Sequence, residues 1–175
     1  MINIKTETRI GARVLALSSI LALSVAVPFF FHLAGLSGEV FLPIFTVLVI
    51  GSFYTDSSVL IGAALLIPLI NTLLTGMPAV RPVPMMPLLT VEMAFTALAA
   101  GALRKRPLAV RLVLPLALGR LMSLPVILFA SGLSLSWWSG RFITGIPGML
   151  LNMAAAGALL MVFPPSGPRG TGEDR

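Results

Sequence analysis

Cysteine is missing from this 175-residue chain, histidine occurs once, and charged residues make up only 10% of it. Each shortage excludes a kind of chemistry. Without Cys there is no disulfide, no thiolate ligand and no Cys nucleophile, and a single His builds no His-based metal cluster. The scarcity of charge weighs more. A water-soluble domain of this size carries roughly a quarter of its residues as Asp, Glu, Lys and Arg, whereas here six acids and twelve bases accompany 57% hydrophobic residues and a mean hydropathy of +1.02. Composition therefore reads as an all-α integral membrane protein whose surface mostly faces the lipid bilayer. The net charge of +6 does not argue for nucleic acid, because the Lys and Arg residues sit beside long apolar stretches, where they suit loops facing an anionic membrane leaflet.

A spanning helix needs about 20 apolar residues, and six segments fit. They run from about Thr8 to Phe31, Val40 to Tyr54, Ser57 to Thr75, Met85 to Leu103, Leu108 to Leu133 and Phe142 to Phe163. The second is short, so it is expected to tilt little, to be sheltered by neighbours or to extend at its ends. Charge sets the orientation. Lys5, Arg9, Arg13, Arg104, Lys105, Arg106, Arg111, Arg169 and Arg175 fall on one side, while Arg81 and Arg141 fall in loops on the other. The asymmetry predicts an N-in, C-in protein, with Trp137 and Trp138 at the outer interface. Ser24-Val25-Ala26 loosely resembles a signal-peptide cleavage site, but more membrane-type sequence follows it, so the first apolar run is read as a span. The chain divides into a transmembrane domain, 1–163, and a Pro-, Gly- and charge-rich cytoplasmic tail, 164–175, expected to be disordered.

Within the spans, the informative residues are those that cost most to bury. Glu92 lies roughly 10 Å below the outer end of the fourth span and Arg120 roughly 20 Å down the fifth. Insertion scales assign about 2.5–3.5 kcal/mol to Arg or Asp at a helix centre, so both side chains should face the bundle interior, a watery cavity or each other. Two readings stand at this stage: an ion pair that fixes helix packing, or a site for a polar solute to which Asn71 and Asn152 add donors and acceptors from two further helices. An outer connection from Gly76 to Pro84, with prolines at 78, 82, 84 and 87, is expected to be a stiff extended flap over such a site. The connection containing His32, Gly35 and Gly38 would be its partner. Ala12 and Ala16, followed by Ser18, Ala22 and Ala26, form a small-residue stripe on the first helix that lets another helix approach closely.

Motifs for covalent chemistry are missing. There is no Gly-rich phosphate loop with its Lys, no His-Glu-x-x-His and no Gly-x-Ser-x-Gly elbow, so the chain is read as having no ATPase or other enzymatic activity, no cofactor and no metal.

One family is similar in the residues themselves. The run Pro28-Phe29-Phe30-Phe31-His32-Leu33-Ala34-Gly35-Leu36, then Phe41-Leu42-Pro43, then Leu73-Leu74-Thr75-Gly76-Met77-Pro78, then Pro84-Met85-Met86 and Glu92 resembles the substrate-binding (S) components of energy-coupling factor (ECF) transporters. The similarity covers roughly the first 120 residues and fades in the last two helices. It implies a six-helix subunit that captures a vitamin or related micronutrient and delivers it with a transmembrane coupling subunit and two ABC ATPase subunits. On that resemblance Met77 and Arg81 join His32, Asn71, Glu92, Arg120 and Asn152 as substrate-binding candidates, and Ala12 and Ala16 match the pattern that meets the coupling subunit. Ile44-Phe45 stands where relatives tend to have Met-His, and Phe95 where Tyr is expected. The residues by themselves also accommodate two rivals, a proton-coupled secondary transporter using Glu92 and a scaffold subunit without a ligand.

Overall fold

The computed structural model describes residues 4–76, 85–131 and 133–165, and among these every regular element is helical. The elements are α1 (Ile4–Leu33), α2 (Gly38–Phe41), α3 (Pro43–Tyr54), α4 (Ser57–Thr75), α5 (Met85–Ala102), α6 (Leu108–Val126) with a π-helical turn at Ile127–Ser131, α7 (Leu135–Thr144) and α8 (Ile146–Val162). Five stretches, Arg9–Leu33, Ser57–Thr75, Met85–Ala102, Leu108–Phe129 and Leu135–Val162, are long and apolar enough to cross a membrane, and a shorter apolar stretch covers Gly38–Tyr54. This is a multi-pass membrane protein. Leu65, Leu69, Leu73, Leu98, Leu121 and Leu150 turn outward, as they do when the surrounding solvent is as apolar as the core.

The short helix is the central one. On α3, Phe45, Val47, Leu48 and Val49 are all buried, and they pack with Ile20 of α1, Leu60, Ala63 and Ala64 of α4, Met93 and Ala97 of α5, and Ala156 of α8. An apolar run without a polar face is what a helix surrounded by other helices requires, and α2 supplies the extension at its start. Between them Leu42 takes a left-handed backbone conformation, φ 51° and ψ 44°, the one positive φ outside glycine among the described residues.

Close approach is arranged by glycine at two crossings. A Cβ on Gly119 would lie 2.6 Å from the Glu92 carbonyl oxygen, and one on Gly148 would lie 2.6 Å from the Phe41 carbonyl carbon. The first lets α5 and α6 touch where their ionisable residues sit, and the second lets α8 lie against α2. Prolines 28, 68, 115 and 125 are accommodated within helices, Pro125 just before the π-helical turn. Pro87, grouped above with the loop prolines, instead belongs to the first turn of α5, where its missing N–H breaks no bond.

The two ends of the bundle differ in chemistry. At one, Arg13 meets Asp56 at 3.0 Å, an Arg104 guanidinium donates to the Thr55 carbonyl, Arg111 lies 4.1 Å from the Phe53 ring centroid, and the Tyr54 hydroxyl donates to the Phe163 carbonyl at 2.5 Å. At the other lie His32, α2 and α7. Residues 77–84 and 166–175 lie outside the described residues, and with them most of the proline-rich connection and the tail.

Candidate functional site

Glu92 reaches its place because its α5 face, shared with Leu88, Leu89, Met93 and Thr96, is the buried one. The side chain is fully enclosed. Arg120 Nη1 donates to its Oε1 at 3.4 Å, across the α5 and α6 contact that Gly119 allows. A second guanidinium joins it: Arg141 donates through Nη1 to Oε1 and through Nη2 to Oε2, the latter at 3.3 Å. One carboxylate therefore holds two arginines, and the Arg120 and Arg141 side chains are only 4% and 10% exposed.

Arg141 corrects the sequence reading, which put it in an outer loop. It belongs to α7, a ten-residue helix that starts where the Ser134 hydroxyl accepts the Trp137 N–H at 3.2 Å, the usual way of satisfying a first-turn donor. This helix is pinned to α6. Trp138 Nε1 donates to the Arg120 carbonyl at 3.3 Å and to Ser123 Oγ at 3.2 Å, so Trp138 turns its polar edge inward. One turn further along, Arg141 stands on a neighbouring row with its guanidinium 5.9 Å from the Trp137 ring centroid. A hydroxyl cap followed three residues later by Trp and then Trp-x-x-Arg spacing is the signal that would have found this helix.

Beside the three charges lies a cavity of about 580 Å³ at the His32 end of the bundle. Phe31, Leu42, Phe45, Leu74 and Leu89 give it apolar walls, and Arg120, Arg141, Asn71 and His32 give it polar ones. Glu92 stands behind the two arginines and does not line it. Asn71 donates to the Ile67 carbonyl at 3.0 Å, which leaves its carboxamide oxygen without a partner among the described residues. His32 and Glu39 are exposed at the edge.

Asn152 goes elsewhere. The sequence reading brought it to the same pocket as Asn71, but its Nδ2 donates to the Leu42 carbonyl at 3.3 Å and its Oδ1 accepts from the Thr46 hydroxyl. It is a clamp between α8 and the start of α3, holding the strained Leu42. Met77 and Arg81 lie outside the described residues.

Ala12 and Ala16 sit at the opposite end, Ala12 exposed and Ala16 half-buried. They border a separate polar groove of about 460 Å³ with Arg9, Arg13, Tyr54, Thr55 and Asp56. Among the described residues no group of three or more His, Cys, Asp or Glu is placed to hold a metal ion. Compared with protein-family models, curated proteins and solved structures, the chain matches none.

Proposed function

We propose that this protein is the substrate-capture subunit of an ECF-type ABC importer for a vitamin or related micronutrient, lying N-in and C-in in the cell membrane. The observation that carries the reading is the cavity of about 580 Å³ at the His32 end, largely apolar in its walls and lined by the guanidiniums of buried Arg120 and half-buried Arg141. A mostly apolar concavity with a few fixed polar groups is what a small-molecule site needs. The orientation is supported by the distribution of charge that has no ionic partner among the described residues. Arg9, Lys105 and Arg106 crowd the Ala12 end, whereas Arg120 and Arg141 are both neutralised in part by Glu92, so the His32 end is the outer one by the positive-inside rule.

In this reading the solute enters from outside, sheds water, meets the arginines and Asn71, and is enclosed by α1 and α2. Transport work comes from partners. A coupling subunit docks on the inner half of α1 at Ala12 and Ala16, and two ATPase subunits drive it. The test is binding by the purified protein alone: calorimetry or thermal shift against water-soluble vitamins should find one ligand bound without ATP. No binder in the panel, with the protein demonstrably folded, would count against capture. Solute movement by the protein reconstituted alone under an imposed pH gradient would favour the proton-coupled carrier instead.

A further inference from the structure

The buried charges at the cavity do not balance. Arg120 and Arg141 bring two positive charges on side chains only 4% and 10% exposed, and Glu92 returns one negative. Glu39 also lines the cavity, but it is exposed at the edge, where solvent and salt screen it. A buried ion that lacks a counter-charge is costly, and more so inside a bilayer.

Donors are left over as well. Arg120 is buried, and only its Nη1 is engaged; Nε and Nη2 have no partner among the described residues. Both oxygens of Glu92 are already used by Arg141, so among the described residues neither spare donor of Arg120 finds an acceptor. These groups belong to side chains in the cavity wall. A planar guanidinium fork fits a carboxylate in geometry as well as in charge.

Resting on the capture reading, we propose that the cavity takes an amphipathic monoanion: a small molecule with an apolar body and one carboxylate, which binds Arg120 and Arg141. Glu92 is then a positioning residue. It holds both guanidiniums toward the cavity and cancels one of their two charges, which leaves room for a single negative charge rather than a doubly charged phosphate. Phe45, whose ring centroid lies 5.8 Å from the Arg120 guanidinium carbon, together with Phe31, Leu74 and Leu89, receives the apolar body.

Matched pairs of compounds test this. Biotin with biotinamide, pantothenate with panthenol and nicotinate with nicotinamide share a body and differ in the acid; laurate with lauramide separates a fatty acid of the membrane from a water-soluble solute. Melting temperature and calorimetry on the full chain in detergent should show the acid of at least one pair bound on the order of 100-fold more tightly than its neutral partner, the scale of lost charge-assisted hydrogen bonds. Arg141→Gln should erase that preference. If it does not fold, the double variant Glu92→Gln with Arg141→Gln keeps the net charge of the site and removes the fork, and the preference should still fall. A response to laurate alone upholds the anion site and counts against vitamin capture. A neutral partner bound as tightly as its acid overturns the anion proposal and leaves capture standing. Binding of none of these compounds by folded protein overturns both.

Discussion

Arg141 and Glu92 are 49 positions apart in the chain, yet both terminal nitrogens of the guanidinium reach the carboxylate, Nη2 to Oε2 at 3.3 Å. Because Arg120 shares Oε1, the acid on α5 ties α6 and α7 together at the edge of the cavity.

Removing that acid should therefore damage the fold before anything else. Glu92→Gln leaves the two guanidiniums a neutral amide oxygen in place of their shared counter-charge, and breaking a buried pair from one side costs about 3–5 kcal/mol. The expected outcome is a large drop in melting temperature in detergent. Adding Arg141→Gln to it should recover part of the loss, a coupling of order 0.5–3 kcal/mol in a double-mutant cycle. Strict additivity would mean that the two side chains do not act together.

Gly119 should tolerate little. A Cβ there meets the Glu92 carbonyl oxygen at 2.6 Å, whereas one on Gly157 meets nothing within 4 Å. Gly119→Ala is expected to destabilise by about 1–3 kcal/mol through overpacking, and to weaken ligand binding as α5 and α6 part. Gly157→Ala serves as the control and should melt within a degree or two of the parent. Equal melting of the two variants would show that the close crossing is absent.

Asn152→Leu should separate the clamp from the binding site. It removes the acceptor of the Thr46 hydroxyl and one of two donors to the Leu42 carbonyl, which keeps the Phe45 N–H at 3.0 Å, a loss of about 1–3 kcal/mol. Hydrogen exchange of the amides from Val40 to Phe45 should quicken. Ligand affinity should fall less than in Arg141→Gln, because Asn152 does not touch the cavity; the opposite order would put Asn152 at the ligand.

The opposite end offers a dissociation of functions. Arg13 and Asp56 are paired at 3.0 Å with side chains 57% and 56% exposed, so Arg13→Ala should change stability by less than about 1 kcal/mol. Bulk added at Ala12 and Ala16, as Ala12→Trp with Ala16→Trp, should leave solute binding intact and abolish co-purification with a coupling subunit. Loss of solute binding with assembly preserved would contradict the assigned roles of the two ends.

Much of the fold could be read from the chain because the bilayer restricts the answers: uninterrupted apolar runs of about 20 residues have few other uses. Glu92 and Arg120 stood out for the same reason, as charges in an oily run. Arg141 did not, since a basic residue between two spans is ordinary, and its recruitment depends on the Trp138 bond to α6. Nor did the sequence separate Asn71 from Asn152. On helices apolar all round there is little periodicity to tell which face meets the cavity and which meets a neighbouring helix.

Hydropathy along the chain determined by itself that the protein is helical, that it crosses a membrane several times and that two of its charges need shelter, because these follow from the cost of exposing polar groups to hydrocarbon. Which arginine completes the trio around Glu92, and which asparagine reaches the cavity, was decided by helix rotation and by the packing of α7 on α6. Those depend on side-chain packing between segments far apart in sequence, where small differences in contact energy rather than solvent transfer choose the partner.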